Sequence, residues 1–428
     1  MTLTFQTGKS FADQMDRNDQ LRSFRAQFCI PKIHAAENSA ARKCIYLCGN
    51  SLGLQPQKAQ DYVEQELANW ATLGVEGHFR GKYPWLSYHE LLAEPLARVV
   101  GAEPKEVIAM NTLTVNQHLM MVSFFQPSPT RYKILIGSNA FPSDHYAVST
   151  HLKFHGLDPR TALVELPCRP GESVVVMEDI EALLEEQGKS IALVFVEGVN
   201  YYTGQALDLN RITRAAQAQG CRVGFDLAHG VGNIPYHLHQ TGADFAVWCS
   251  YKYLNGGPGC IAGCFVHEKH RRDFKLPRLG GWWGHNKTTR FLMGPEFDPL
   301  EGAEGWQLSN PPILPLACLR AALDLFDEAG IDKLREKSVS LTGYLAFLLD
   351  HSGKSDRIRI ITPRGRDERG CQLSILVKEG AKELNRKLIA QGLICDFREP
   401  DCVRVAPVPL YNSYSDVYDF VNILSEIL

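Results

Sequence analysis

A lysine and an aspartate in this sequence, each placed directly after an apolar run, could do covalent chemistry together. Lys252 follows the run 245–249 and precedes the glycine-rich stretch 256–259. A lysine that is desolvated or lies near other cations has a lowered pKa, so its amine can form a Schiff base and move protons. Asp226 follows the run 221–225, where burying an unpaired carboxylate would be costly, so a cationic partner such as a ring nitrogen would suit it. A solvated lysine and a helix-capping aspartate are the structural alternatives.

Further candidates follow other strand-like runs, at the positions where open α/β sheets bind their ligands. The backbone of Leu113 and the hydroxyl of Thr114 open a helical pattern and could bind a phosphate. Phe141 could stack on a planar cofactor, and Asp144 could bond the substituents of its ring. His229, shortly after the aspartate, could face the same cleft. Each of these residues also fits an ordinary role as a helix-start residue or a structural histidine.

Motifs for several other chemistries do not occur in the sequence. There is no GxGxxG for a dinucleotide, no GxxxxGKS or GxxxxGKT for a nucleotide phosphate, and no HExxH zinc helix. A strand-end acid followed by a lysine after the next strand instead favours a pyridoxal-phosphate site. No metal site is expected.

Short β-rich runs alternate with helical patterns between residues 104 and 268. Strands are expected at 107–110, 132–136, 162–166, 191–196, 221–225, 245–249 and 260–266, and helices at 115–124, 143–154, 178–187 and 209–219. Several of these strands are nearly continuous apolar runs, which indicates a sheet covered by helices on both faces. The alternation predicts parallel strands joined by right-handed crossovers. The predicted fold class is therefore α/β.

The length favours two domains, because 428 residues exceed what one core usually holds. We expect a large, mostly parallel-sheet domain over residues 61–310 and a smaller α+β domain over residues 311–428. In the smaller domain, helices are expected at 312–329, 331–350, 381–391 and 415–428, and strands at 358–362, 371–377 and 403–407. Residues 1–60 show little periodicity and are expected to pack on the small domain or on a partner subunit.

The composition argues against several classes of partner. The net charge is only −3, without long runs of either sign, whereas nucleic acids and charged membranes select basic patches. No secretion signal is expected at the amino terminus, and no segment reaches the roughly 18 to 20 apolar residues that span a bilayer. The 12 cysteines are expected to be buried, reduced thiols. We therefore expect a cytoplasmic enzyme that acts on a small molecule.

Eight segments, in order along nearly the whole chain, closely resemble kynureninase, a family of fold-type-I pyridoxal-phosphate hydrolases. They are GNSLG (49–53), FPSD (141–144), YYTGQ (201–205), GFDLAH (224–229), WCSYKYLN (248–255), GWWGH (281–285), SNPPI (309–313) and RVAPVPLYN (404–412). The resemblance implies a fold-type-I transferase-like fold, pyridoxal 5'-phosphate bound to Lys252 through a Schiff base, and a homodimer with shared active sites. The implied reaction is hydrolysis of L-kynurenine or 3-hydroxy-L-kynurenine to anthranilate or 3-hydroxyanthranilate plus L-alanine, in tryptophan catabolism or NAD biosynthesis.

The resemblance also assigns roles to residues at the matching positions. Lys252 would move protons at the α-carbon of the substrate, Tyr251 would donate a proton to its β-carbon, and Asp226 would pair with the pyridine nitrogen. Arg404 would bind the substrate α-carboxylate, for which its planar fork is suited. The cofactor would also contact Leu113, Thr114, Phe141, Pro142, Ser143, Asp144, His229 and Tyr251, together with Trp282 and Asn310 of the neighbouring subunit. Core packing, a turn and a surface charge are the alternatives for Trp282, Asn310 and Arg404.

The expected substrate preference depends on a polar set that resembles the pocket of animal-type kynureninases. His78 and residues 309–310 would bind the extra hydroxyl of 3-hydroxy-L-kynurenine, so we expect that substrate to be preferred. A loop position outside the site is the alternative for His78, and Glu197 departs from the residue that animal members carry. Another fold-type-I enzyme (an aminotransferase or a cysteine desulfurase) and a non-catalytic relative are the alternative functions. The implied substrate-binding set is Arg404, His78, Asn50, Ser51, Ser309 and Asn310.

Overall fold

The amino-terminal part of the chain packs on its carboxyl-terminal end. The computed structural model describes residues 4–33 and 41–428, so residues 1–3 and 34–40 of the predicted amino-terminal segment lie outside the described residues. Helix α1 (Lys9–Asn18) packs against the last helix of the chain, and Lys9 Nζ lies 2.8 Å from Asp419 Oδ1. The elements that follow are β1 (Phe28–Cys29), β2 (Lys32–Ile33), β3 (Arg42–Lys43), β4 (Ile45–Tyr46), β5 (Gln55–Pro56), α2 (Lys58–Leu73) and α3 (Ala93–Val100).

A seven-stranded sheet with helices on both faces forms the centre of the large region. Its strands are β6 (Val107–Ala109), β7 (Lys133–Ile136), β8 (Leu163–Glu165), β9 (Ile191–Glu197), β10 (Arg222–Asp226), β11 (Phe245–Trp248) and β12 (Gly263–Val266), in the order β6-β12-β11-β10-β9-β7-β8. The helices between them are α4 (Leu113–Phe124), α5 (Pro142–Phe154), α6 (Pro159–Ala162), α7 (Met177–Gln187), α8 (Leu209–Ala218) and α9 (Leu238–Thr241). Two apolar core clusters cover the sheet, and the predicted α/β class is confirmed.

One strand of this sheet runs against the predicted direction. The strand expected at 260–266 is β12, which pairs antiparallel with both β11 and β6, whereas the other neighbouring strands are parallel. Residues 249–262, between β11 and β12, form a turn without a helix, so the chain folds straight back instead of crossing over. The parallel strands end at one edge of the sheet, and this edge carries the candidate residues.

A four-stranded antiparallel sheet organises the carboxyl-terminal region. Its elements are α10 (Ile313–Ala329), α11 (Ile331–Asp350), β13 (Ile358–Ile360), β14 (Leu373–Val377), α12 (Ala381–Ala390), β15 (Leu393–Ile394), β16 (Asp396–Arg398), β17 (Cys402–Val405) and α13 (Tyr414–Ile427). The sheet order is β13-β14-β17-β16, and β15 pairs with β4. Strands β15 and β16 were not predicted, because each is too short to show an alternating pattern. Helix α10 packs on α2 and shares a core cluster with the large sheet, so the domain boundary at 311 stays a prediction.

The cysteines differ from the expected burial at four positions, because Cys48, Cys168 and Cys318 are partly buried and Cys29 is exposed. All 12 carry free thiols, and most are buried. Within residues 4–33 and 41–428, no helix has both the length and the apolar content that crossing a membrane requires.

Candidate active site

A cavity of about 330 Å³ lies where the parallel strands end, between the large sheet and strands β16 and β17. The amino-terminal segment, the strand ends and the small sheet all contribute to its walls. The predicted residues that line it are Asn50, Ser51, Leu113, Thr114, Phe141, Ser143, Asp144, Asp226, His229, Tyr251, Lys252 and Arg404. The lining residues that were not predicted to form the site are Thr112, Glu197, Val199, Tyr201, Ala228 and Arg398.

Lys252 lies on the tight turn that follows β11. The Gly53 N–H donates to Tyr251 O at 2.8 Å, and a Cβ at Gly53 would lie 2.3 Å from Lys252 O, so only glycine allows this close approach. Lys252 Nζ lies 5.9 Å from the ring centre of Phe141 and 5.9 Å from that of Tyr251. Phe141 in turn packs edge to face on Tyr201, with ring centres 5.1 Å apart. The amine therefore lies among aromatic rings at the cavity wall.

Two aspartates lie side by side next to the lysine. Gln117 Nε2 donates to Asp144 Oδ1 at 2.6 Å and to Asp226 Oδ2 at 2.8 Å, and the Ala228 N–H donates to Asp226 Oδ1 at 2.7 Å. Burial raises the pKa of both carboxyl groups, and the charge of Asp226 raises the pKa of Asp144 further. The pair therefore favours a cation beside it, such as a protonated ring nitrogen. Gln117 was not predicted, although it lies one helical turn after Thr114 and on the same face of α4.

A third carboxyl group, that of Glu197, lies beside the aspartate pair. Glu197 ends β9 and is directly opposite Asp226 in the parallel register. Asn200 Nδ2 donates to its Oε1 at 2.8 Å, and a Cβ at Gly137 would lie 1.7 Å from its Oε2, so this glycine leaves the room that the glutamate needs. Burial raises the pKa of Glu197 to about 7. The residue that departs from the animal pattern is therefore an acid that can hold a proton near neutral pH.

Two helix starts form another wall of the cavity. Helix α4 begins at Leu113 and helix α5 begins at Pro142. Proline lacks a backbone N–H, but at the first position of a helix this N–H would have no partner within the helix, so proline costs no hydrogen bond there. The hydroxyl groups of Thr114 and Ser143 lie 3.1 Å apart. Hydroxyl groups and unpaired N–H groups at helix starts are donors suited to a phosphate. Pro142 is not part of the cavity lining, and it contributes by fixing the start of α5.

His229 is a buried imidazole at the cavity. Its Nδ1 atom has no hydrogen-bond partner in the part of the chain that the structure describes. Burial lowers the pKa of His229 well below its usual value, and the charges of Lys252, Arg404 and Arg398 lower it further. The imidazole is therefore neutral and can form a hydrogen bond with a ligand.

Arg404 lies at the cavity wall and is almost completely buried. Its Nη1 donates to Tyr201 O at 2.6 Å, and its Nη2 pairs with Asp396 Oδ2. Ser51 Oγ donates to the same Asp396 oxygen at 2.5 Å. Asp396 and Arg398 were not predicted as site residues, because the strand that carries them, β16, was not predicted. The guanidinium of Arg404 is suited to a carboxylate ligand.

Besides Pro142, four of the predicted residues lie outside the cavity of a single chain: His78, Trp282, Ser309 and Asn310. The Nδ1 of His78 donates to its neighbour Val75 O at 3.1 Å. Trp282 is 43% exposed, and its indole N–H donates to Arg290 O at 3.4 Å. Ser309 and Asn310 line a separate hollow that also touches Thr112. One chain therefore does not bring these four residues to the lysine.

Solved structures with the same architecture define the class of protein. A C-DES variant with glycine covalently linked to its PLP cofactor has a TM-score of 0.75 at 16% identity, covering 90% of this chain and 96% of that chain. A cysteine desulfurase of Escherichia coli has a TM-score of 0.75 at 18% identity, and the match covers 95% of this chain and 98% of the desulfurase chain. At these identities the likeness establishes the fold alone, which is fold type I of the pyridoxal-phosphate enzymes.

Closer relatives establish the family. The family model described as the kynureninase C-terminal domain matches residues 334–424. The protein named Kynureninase in Koribacter versatilis is 58% identical over 418 residues, which are 98% of this chain and 97% of the relative. The Kynureninase of Myxococcus xanthus is 55% identical over 420 residues, which are 98% of this chain and 97% of that relative. The chain belongs to the kynureninase family, and the predicted resemblance is confirmed.

Proposed function

We propose that this protein uses pyridoxal 5'-phosphate to hydrolyse L-kynurenine and 3-hydroxy-L-kynurenine, giving anthranilate or 3-hydroxyanthranilate and L-alanine. The observation that carries the proposal is the single cavity lined by Lys252, Asp226 and Arg404, which supply an amine, a partner for a cation and a guanidinium for a carboxylate. The name of the relatives, Kynureninase, supports this substrate class. The free thiols support a cytoplasmic location.

The residues of the cavity fit the cofactor group by group. Lys252 would hold the cofactor covalently, and Asp226 would accept a hydrogen bond from its protonated ring nitrogen. The raised pKa of the buried aspartate supports this assignment, because a cation beside it would compensate its charge. Thr114 and Ser143, at the two helix starts, would bind the phosphate, and Phe141 would stack on the ring.

The chain's own side chains would perform the proton transfers. When bound, the cofactor withdraws electrons from the α-carbon of the substrate. Arg404 would bind the α-carboxylate, and the Lys252 amine would accept the α-proton. Water adds to the γ-carbonyl, the Cβ–Cγ bond breaks, and the aromatic acid leaves. Burial raises the pKa of Tyr251, so its phenol keeps a proton that it would donate to the β-carbon. The Lys252 amine would then return a proton to the α-carbon, which completes L-alanine.

A second copy of the chain would complete the site. Trp282 belongs to an exposed apolar surface with Phe291, Leu292 and Met293, and such surfaces favour burial against another protein. We propose a homodimer in which Trp282 and Asn310 reach the cofactor of the neighbouring subunit. In a mixture of inactive Lys252→Ala and Asn310→Ala proteins, each hybrid dimer would then contain one intact site, and about a quarter of the parental activity should return. Failure to regain activity after subunit exchange would contradict shared sites.

The preferred substrate is proposed to be 3-hydroxy-L-kynurenine. His78, Ser309 and Asn310 lie outside the cavity of their own chain, so the dimer would have to bring them to the substrate hydroxyl. One hydrogen bond worth about 1.4 kcal/mol corresponds to about tenfold in kcat/KM. The test is to supply each substrate separately to cofactor-saturated protein and to follow the aromatic acid. Equal efficiencies, or a preference for L-kynurenine, would reject this assignment.

A further inference from the structure

Three charged side chains share one face of the small sheet at the cavity wall. Side chains alternate along a strand, so Asp396 and Arg398 of β16 point to the same face, and the antiparallel pairing places Arg404 of β17 opposite Asp396. Asp396 Oδ2 accepts hydrogen bonds from Arg404 Nη2 and from Arg398 Nη2, the latter at 3.0 Å. One carboxylate therefore holds two guanidinium groups.

The charges of this cluster do not balance. Asp396 carries one negative charge, whereas Arg398 and Arg404 carry two positive charges, so one positive charge is in excess at a cavity that both arginines line. The side chain of Arg404 is only 1% exposed, and both of its terminal nitrogens already have partners. The side chain of Arg398 is 39% exposed. The accessible and uncompensated cation of the cluster is therefore Arg398.

We propose that Arg398 is a specificity-determining residue that recognises the α-carboxylate of the substrate together with Arg404. The inference rests on the proposed function, because it concerns the amino-acid end of that substrate. Arg404 and Asp396 alone form a neutral pair, so an arriving carboxylate would leave a net negative charge in a largely buried site, which is costly. With Arg398 present, the same carboxylate brings the cluster to neutrality. Asp396 is the positioning residue that keeps both guanidinium groups at the wall.

The test compares Arg398→Gln with the parent protein, and Arg359→Gln is the matched control. Arg359 is an exposed arginine on β13 of the same sheet, so its replacement changes the total charge equally. In Arg398→Gln we expect the KM for L-kynurenine to rise roughly 10- to 100-fold, the range of a hydrogen bond to a charged group. The kcat should stay within about threefold, as expected when an interaction acts mainly in binding. An unchanged KM overturns the proposal.

The α-amide of L-kynurenine separates carboxylate recognition from a structural role. Because the amide lacks the negative charge, its inhibition constant should be equal in the parent and in Arg398→Gln. If the amide and L-kynurenine are weakened equally, Arg398 acts only through the fold, and the proposal is overturned. If Arg398→Gln does not hold the cofactor, Arg398→Met replaces it, because methionine removes the charge but keeps an unbranched, adaptable side chain that can pack at the cavity wall. A KM raised several-fold in that variant then supports the proposal, and an unchanged KM overturns it.

L-Alanine binding distinguishes this proposal from the proposed function. Its dissociation constant, followed through the absorbance of the bound cofactor, should also rise roughly 10- to 100-fold in Arg398→Gln. A parent protein that cleaves no kynurenine contradicts the proposed function, whatever the alanine result. An alanine affinity that is unchanged in Arg398→Gln contradicts the role of Arg398, whether or not kynurenine is cleaved.

Discussion

From the raised pKa of Glu197 we predict how the stability of the cofactor-free protein depends on pH. The pKa of about 7 in the folded protein lies above the value of about 4.3 for an exposed glutamate. Between these pH values the folded state binds more protons than the unfolded state, so the stability contributed by this group is greatest below about pH 4 and falls as the pH rises to 7. Glu197→Gln removes this loss and keeps an oxygen that can accept from Asn200.

The size of the effect follows from the shift. Raising the pKa of Glu197 from about 4.3 to about 7 lowers the free energy of unfolding by about 4 kcal/mol above pH 7, since each pH unit corresponds to about 1.4 kcal/mol. Because Glu197 is only partly buried, solvent screening reduces this energy. We therefore expect the free energy of unfolding of Glu197→Gln to exceed that of the parent by about 2 to 4 kcal/mol at pH 8. With an unfolding entropy of about 2.1 cal/mol/K per residue, Glu197→Gln should raise Tm by about 2 to 4 °C at pH 8. At pH 4 the parent and the variant should have the same Tm.

The assay is thermal unfolding of cofactor-free parent, Glu197→Gln and Glu185→Gln proteins from pH 4 to pH 8. Glu185 is exposed on α7, so its variant controls for the loss of one negative charge. We expect the difference between Glu197→Gln and the parent to appear between pH 4 and 7, and the control to follow the parent. A constant difference across this range, or a less stable Glu197→Gln at pH 8, would refute the reasoning, because the glutamate would then be charged and compensated.

Three further substitutions test other parts of the molecule. Gly53→Ala would place a Cβ atom 2.3 Å from Lys252 O. This substitution should displace Lys252 and lower kcat/KM by about tenfold or more. A variant with the kcat/KM of the parent would contradict this expectation. Tyr251→Phe should lower kcat by about 10²- to 10⁴-fold with an unchanged circular dichroism spectrum, and an unchanged rate would reject the proton donor. Lys337→Met removes the ammonium that lies 2.7 Å from the buried carboxylate of Asp19. Denaturant titration should show that the free energy of unfolding falls by about 3 to 5 kcal/mol. A fall of less than about 1 kcal/mol would mean that the ion pair is dispensable.

The residues that follow the parallel strands were predictable because the signals are local. Asp226 and Lys252 each follow an apolar run typical of a buried strand, and the ends of parallel strands lie at one edge of a sheet. Gln117 was missed because a polar helix residue indicates nothing until the face that it occupies is known. Glu197 was noticed only as a departure from the animal pattern, because its raised pKa depends on burial and on the neighbouring strand.

The residues of the small sheet were less predictable because they depend on pairing between distant or very short elements. Arg404 was identified through the resemblance, whereas Arg398 and Asp396 require strand β16 and its register with β17. A strand of three residues is too short to show periodicity. The direction of β12 was likewise wrong, because alternation between strands and helices cannot indicate where a short turn replaces a crossover.

Product analysis on cofactor-saturated protein supplied with L-kynurenine is the most direct test of the proposed function. The parent protein should release anthranilate and L-alanine in equal amounts, and a folded Lys252→Ala variant should release neither. A parent protein that binds the cofactor but forms no anthranilate would contradict the assignment. Near-parental product formation by Lys252→Ala would remove the lysine from the reaction.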